Sequence, residues 1–306
     1  MNKINFKNRD VISIRDFSKQ EILHVLKKAK EFKSSPKTDL LKGKIMASLF
    51  FEPSTRTRFS FESAMQRLGG SVITLADAKT SSSAKGESLS DSIRIVEKYC
   101  DVIVMRHSLE GAARLAADVS NNPILNGGDG ANQHPTQTFL DLFSILETQK
   151  KLNGLNVAMV GDLKYGRTVH SLAYALSLFN CRLYFISPES LKMPKHVLNE
   201  IKENKTKYSE HTRPEGLMPK MDIFYATRIQ KERFADAMEY EEVKDVYIIN
   251  NELLKKVKKN FRILHPLPRV NEINYEVDDT PYAYYFQQAS NGLWVREALL
   301  ALTLGK

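Results

Sequence analysis

The chain has 306 residues, with 45 Lys and Arg against 36 Asp and Glu, for a formal net charge of +9. A chain of this length can bury two cores, so two domains are expected, and the only cysteines, Cys100 and Cys181, lie too far apart for a zinc-type spacing or a disulfide framework. No apolar run is long enough for a membrane helix, and the excess lysines are scattered through helical stretches such as 26–33 and 255–259, so neither membrane nor nucleic acid is expected as a partner. The reading is a cytoplasmic chain whose charge favours small anionic substrates.

Residues 18–32 read as a first helix, with Ser18 as cap, Glu21 completing a capping box, and Ile22, Val25, Leu26 and Ala29 as one stripe. The apolar run 45–51 reads as a buried strand. Glu52-Pro53-Ser54-Thr55 breaks it, and a helix carrying Phe59, Phe61, Ala64, Met65 and Leu68 follows, stopping at Gly69-Gly70. Its first turn holds Ser54, Thr55, Arg56, Thr57 and Arg58. Helix first turns favour acids, so two arginines there oppose the macrodipole unless an anion compensates them, and a phosphate is the expected occupant.

Residues 71–75 predict a second strand, and 77–86 a polar, serine-rich loop ending near Lys85. A helix starting at Ser88 or Ser90 leads to the strand 101–105, which ends in Arg106-His107, a charged pair at the carboxyl end of a buried strand. A helix at 111–119, the stretch 123–126 and a glycine turn at 127–130 then deliver His134 and Gln137 to the same sheet edge. Residues 139–148 read as a helix bridging two domains.

The second half repeats the strand–helix rhythm, with strands at 155–160, 182–186, 223–225, 247–249 and 262–264. Gly161 to Thr168 nearly matches a phosphate loop, but Arg167 replaces its lysine, and a guanidinium fork suits a carboxylate better. Arg228, with Gln230 beside it, follows the strand at 223–225 and supplies a second fork. His265-Pro-Leu-Pro268 ends the last strand, and the apolar stripe at 291–304 predicts a terminal helix packing back on the first domain. The fold class is therefore α/β, with two domains, each a mostly parallel sheet flanked by helices.

Taken in order, Ser54-Thr-Arg-Thr-Arg58, Arg106-His107, His134-Pro-Thr-Gln137, the Arg167 turn, Arg228-Ile-Gln230 and His265-Pro-Leu-Pro268 resemble the motif series of the aspartate carbamoyltransferase family over nearly the full chain. The first motif alone marks carbamoyltransferases in general; the later ones mark the members that use aspartate. The resemblance implies a carbamoyl-phosphate-binding domain at 1–135, completed by the C-terminal helix 288–306, and an aspartate-binding domain at 136–287. The implied enzyme of pyrimidine biosynthesis transfers the carbamoyl group to L-aspartate without cofactor, metal or covalent intermediate.

By the same resemblance Ser54, Thr55, Arg56, Thr57 and Arg106 hold the phosphate, and His134 with Thr57 reaches the carbonyl oxygen. Gln137 and the carbonyls of Pro266 and Leu267 take the carbamoyl NH2, with Leu267–Pro268 cis. Arg56, Thr57, Arg106 and His134 form the catalytic set, while Arg167, Arg228 and Gln230 bind aspartate. Ser81 and Lys85 are implied to reach a neighbouring subunit's site, Lys85 contacting both substrates, in a homotrimer with shared active sites. Glu52 is implied to latch the domains through Arg167 or Arg233, and separate regulatory chains complete larger assemblies in some relatives. The competing readings are a carbamoyltransferase for ornithine or another amino acid, and a non-catalytic carbamoyltransferase-like binding protein. Against ornithine, Arg228 and Lys231 repel a cationic side chain, and Pro266 stands where ornithine enzymes carry cysteine.

Overall fold

The computed structural model describes residues 4–75, 86–229, 238, 240, 241 and 247–306. Ser81, Lys85, Gln230 and Arg233, all marked by the sequence, lie outside the described residues. The chain forms two compact units, Met1–Phe143 with Ser290–Lys306, and Ser144–Ala289.

In the first unit, α1 (Lys19–Ser34) starts with the capping box read from the sequence. Ser18 accepts the Glu21 N–H, and Glu21 accepts the Ser18 N–H at 2.7 Å. Strands β1 (Ile45–Phe50), β2 (Ser71–Leu75), β3 (Val102–His107) and β4 (Ile124–Asp129) form a wholly parallel sheet in the order β2-β1-β3-β4. Helices α2 (Thr55–Arg67), α3 (Leu89–Val96) and α4 (Ala112–Val119) lie between them in sequence. The glycines at 127 and 128, expected in a turn, instead extend β4 to Asp129. A Cβ on Gly127 would stand 3.2 Å from the Met105 carbonyl and 3.4 Å from Thr57 Cγ2, so the bare backbone lets β4 run close to β3 and α2. The next helix, α5 (Pro135–Gln149), begins at Pro135, ahead of the expected 139, because a first-turn proline lacks only an N–H that the helix would leave unpaired anyway.

In the second unit, β5 (Asn156–Val160), β6 (Arg182–Ile186), β7 (Lys207–His211), β8 (Ile223–Ala226) and β9 (Arg262–Leu264) form a parallel sheet in the order β7-β6-β5-β8-β9. Its helices include α6 (Arg167–Ser177), α7 (Lys195–Glu203) and the short α8 (Asn251–Leu254). The strand expected at 247–249 is only an isolated bridge. Tyr247 and Ile249 are buried and Ile248 exposed, giving the alternation of a strand, but among the described residues Ile249 bridges only to Ile273. Conversely, β7 is a polar edge strand whose Lys-Tyr-Ser-Glu-His sequence carries no apolar period.

The C-terminal helix α9 (Tyr285–Thr303) enters the first unit from Ser290 onward. There Ala298, Leu299 and Ala301 are buried, Lys33 Nζ reaches Asn291 at 3.0 Å, and Arg67 pairs with the buried Glu297 at 2.9 Å. Among the described residues no helix is long and apolar enough to cross a membrane, and no group of three His, Cys, Asp or Glu side chains could hold a metal ion.

Each sheet reverses its strand order once, between β1 and β3 in the first unit and between β5 and β8 in the second. Open parallel sheets bind ligands beyond the carboxyl ends of the strands at such points.

Candidate active site

At the first switch point, β1 and β3 end side by side, with Phe50 in register with Arg106 and the Phe51 N–H bonded to the Arg106 carbonyl at 2.9 Å. Ser54 is the N-cap of α2, yet its side chain makes no capping hydrogen bond, and the first turn holds no acid. The hydroxyl and the leading N–H groups are thus left to a ligand. Thr57 is buried and the Arg56 side chain is exposed, with neither carboxylate nor hydrogen-bond partner among the described residues. Partial burial lowers the pKa of the Arg56 guanidinium, and the charge of Arg106 lowers it further. A cation whose charged form is disfavoured by burial and by a second cation would gain from an anion beside it.

Arg106 stands where the β3–β4 register slips between Met105 and His107. Its Nη1 donates to the Gly127 carbonyl at 3.2 Å, and its Nε lies 3.1 Å from Glu52 Oε2, an ion pair without hydrogen-bond alignment. Burial lowers the Arg106 pKa, and Glu52 opposes that shift. Glu52 therefore occupies one edge of the Arg106 guanidinium. His107 is held neutral by burial, against the pull of Glu52 and Asp129.

His134 and Gln137 arrive through a connection organised by Asp129, a residue not singled out above. Its buried carboxylate accepts from Asn126 Nδ2 at 2.9 Å, Asn132 Nδ2 at 3.0 Å, and the N–H groups of Gly111 and Gln133 at 2.9 and 3.0 Å. The carbonyl of the buried His134 then accepts the Gln137 and Thr138 N–H groups, opening α5. An aspartate after paired glycines at a strand end was the available signal.

At the second switch point, Gly161 follows β5 at φ +113°, and a Cβ there would sit 2.3 Å from the Thr227 carbonyl. Only glycine allows the β5 and β8 ends to approach so closely. The buried Asp162 caps the turn by accepting the Lys164 and Tyr165 N–H groups at 3.1 and 2.9 Å. This turn delivers Arg167 as the first residue of α6, again with no acid in the first turn, while Thr227, tied to the Val160 carbonyl at 2.8 Å, delivers Arg228 beyond β8. Both arginines are half-buried.

The third contributor to this sheet edge follows β9. His265 Nδ1 accepts the Leu267 N–H at 2.8 Å, so the ring proton sits on Nε2, where it is donated to Glu272 at 2.7 Å. The ring is neutral and the pair is a hydrogen bond, not a salt bridge. Glu272 also accepts the N–H groups of Val270 and Asn271 through its other oxygen, at 3.0 and 3.1 Å. Burial alone would raise the Glu272 pKa, but the hydrogen bond from His265, that ring's charge whenever it is protonated, and the backbone N–H groups outweigh it and hold the carboxyl below its ordinary value. This loop holds Leu267 at φ +54°, which a branched side chain adopts only when its surroundings fix it, and the Leu267–Pro268 peptide is cis, as the sequence motif implies. Glu272 was not legible as part of the site.

Comparison with known proteins agrees with this architecture. Residues 9–147 match the model for the aspartate/ornithine carbamoyltransferase carbamoyl-P binding domain, and residues 153–303 match the Asp/Orn binding domain. An aspartate carbamoyltransferase catalytic subunit from Bacteroides thetaiotaomicron is 57% identical over 300 residues, covering 98% of this chain and 96% of that protein. The catalytic subunit of M. jannaschii aspartate transcarbamoylase superposes with a TM-score of 0.89 at 52% identity, covering 95% of this chain and 96% of that one. Aspartate transcarbamoylase from Trypanosoma cruzi, solved in complex with carbamoyl phosphate, gives 0.92 at 38% identity, covering 98% and 97%. The chain belongs to the aspartate/ornithine carbamoyltransferase family.

Proposed function

We propose that the chain transfers the carbamoyl group of carbamoyl phosphate to the amine of L-aspartate, giving N-carbamoyl-L-aspartate and phosphate in pyrimidine biosynthesis. The observation that carries this reading is the acid-free first turn of α2, where, among the described residues, Arg56 meets no carboxylate and Arg106 is held by Glu52 and a carbonyl. The first unit is assigned to carbamoyl phosphate. Ser54, Thr55, Arg56 and Thr57 cradle the phosphate, Arg106 exchanges Glu52 for it, and Thr57 and His134 donate to the carbonyl oxygen. Gln137 and the carbonyls of Pro266 and Leu267 accept from the carbamoyl NH2.

The second unit is assigned to aspartate, whose two carboxylates are taken by Arg167 and Arg228 with Gln230. The neutral aspartate amine attacks the carbonyl carbon, a C–N bond forms, and the C–O bond to phosphate breaks through a tetrahedral oxyanion. The departing phosphate takes the amine proton. No electron acceptor, cofactor or enzyme-bound intermediate enters this balance, so rate comes from positioning two anions and from donors aimed at the developing oxyanion.

The finer assignments rest on the motif resemblance. The assembly is a cytoplasmic homotrimer in which Ser81 and Lys85 complete a neighbour's site, open to association with regulatory chains. Glu52, released from Arg106, turns to Arg167 or Arg233 to hold the closed state. The test is an assay of the purified protein with carbamoyl phosphate and either aspartate or ornithine, scored by ureido product. Product with aspartate alone supports the reading; product with ornithine, or with neither, overturns it.

A further inference from the structure

One buried ionic group in the first unit is left without a task by the proposed chemistry. Asp141, on the second turn of α5, is wholly buried, and its Oδ1 accepts a hydrogen bond from Gln137 Nε2 at 2.8 Å. From α9, Arg296 is also buried, 3% exposed, with its guanidinium 5.0 Å above the Phe61 ring and its Nε without a hydrogen-bond partner. Room for it exists only because position 292 is glycine, since a Cβ there would lie 2.3 Å from Arg296 Nη1 and 3.2 Å from Leu140 Cδ2. Burial lowers the Arg296 pKa to about 10, and Asp141 is the charge that opposes the shift. A buried arginine whose Nε is left unsatisfied is costly, and replacing such ions with apolar groups is often neutral or stabilising. Its retention therefore calls for a reason beyond packing.

The chemistry of an amide supplies one. A glutamine side chain can present either C=O or NH2 to a ligand, and the two are nearly isosteric. An ionised carboxylate only accepts, so Asp141 forces the NH2 of Gln137 toward itself and leaves Oε1 as the free end. A neutral carboxylic acid, or an asparagine, could donate instead and would tolerate the reversed amide, which turns NH2 toward the ligand's own NH2.

We propose that Asp141 is a positioning residue that fixes the Gln137 amide with its oxygen toward the acyl phosphate, and that Arg296 is the buried counter-charge that keeps Asp141 an acceptor. The arrangement selects an acyl phosphate bearing an amino group over one bearing a methyl group. This rests on the assignment of Gln137 to the carbamoyl NH2, and it adds the residues that decide which end of that amide is offered.

The test compares carbamoyl phosphate, by its kcat/KM with saturating aspartate, with acetyl phosphate, by its Ki against carbamoyl phosphate. Acetyl phosphate presents a methyl where carbamoyl phosphate presents NH2. In Asp141→Asn, which keeps the volume, kcat/KM for carbamoyl phosphate is expected to fall about tenfold, the effect of mispairing one buried substrate hydrogen bond, while the acetyl phosphate Ki stays within about twofold. Arg296→Met is expected to give the same one-sided loss. In a Gln137→Ala background, Asp141→Asn should have no further effect, because its action passes through the glutamine. Equal losses for both ligands, an additive double mutant, or an unchanged kcat/KM in Asp141→Asn would each overturn the proposal. If the unaltered protein itself fails to prefer carbamoyl over acetyl phosphate, the assignment of Gln137 falls first and the failure is traced there.

Discussion

Removing Glu272 tests whether the loop after β9 is held by a neutral hydrogen-bond network. In Glu272→Ala the His265 Nε2–H is stranded on a side chain about 1% exposed, and the Val270 and Asn271 amides lose their acceptor. A stranded buried donor costs roughly 1–3 kcal/mol, and each of the two amides, nearer water, about 0.5–1 kcal/mol. Relief of the carboxylate's own burial offsets part of this, leaving a net loss of about 2–3 kcal/mol, which a domain of ordinary stability survives. Urea unfolding at pH 7 should therefore show a lower midpoint with an unchanged slope. Because the folded carboxyl titrates below its ordinary 4.5, its stabilisation is fully present above that pH and is lost as the pH falls through the folded value, so the gap between the two proteins should close in acid. Glu272→Gln should fall between them, because one amide oxygen cannot serve both His265 and the two backbone amides. An Ala variant with an unaltered midpoint at pH 7, or a gap that persists undiminished to pH 3, would refute the network.

Further outcomes can be measured directly. Arg56→Ala and Arg106→Ala should each lower turnover on the order of 100-fold or more, as loss of a positioned oxyanion or phosphate donor does; near-normal turnover in either removes it from the catalytic set. Gly161→Ala places a Cβ 2.3 Å from the Thr227 carbonyl at φ +113°, and should cost at least about 2 kcal/mol in thermal or urea unfolding, which an unchanged melting temperature would contradict. Glu97 is held at about 2 by the hydrogen bond from Lys98 and those from the Asn121 backbone and side chain, so its contribution is present above 4.5 and disappears toward pH 2. Glu97→Gln should flatten the acid limb of the stability profile between those values, and an identical limb would exclude the role. Mixing inactive Lys85→Ala and Arg56→Ala chains should restore some activity if sites are shared between subunits, and none if each is self-contained.

What was legible in the sequence follows a physical rule. Strands β1, β2, β6 and β9 lie within a residue of their expected bounds, because most are short apolar runs stopped by glycine, proline or charge. The α1 capping box was equally plain. Strand β7 was not, since an edge strand keeps its hydrogen-bonding role without an apolar period. The arginines at 56, 106, 167 and 228 stood out because each breaks a local preference, either as a cation in a helix first turn or as a charge at the end of a buried strand. The acids that hold the loops offered no such contrast. Asp141, four residues after Gln137, reads as an ordinary solvated helix pair, and only its complete burial reveals otherwise. Asp129, Asp162 and Glu272 likewise accept backbone N–H groups within their own loops, a geometry that no spacing rule announces. The division has a chemical reason. Cations at helix first turns and strand ends stand where local rules disfavour them, and they are therefore visible in the sequence; the acids that hold the loops are satisfied by nearby N–H groups, and they therefore disappear into the fold. A buried, fully hydrogen-bonded carboxylate at a sheet's switch point is thus as strong a mark of a functional loop as an arginine in a helix first turn, and it is the mark that only the fold reveals.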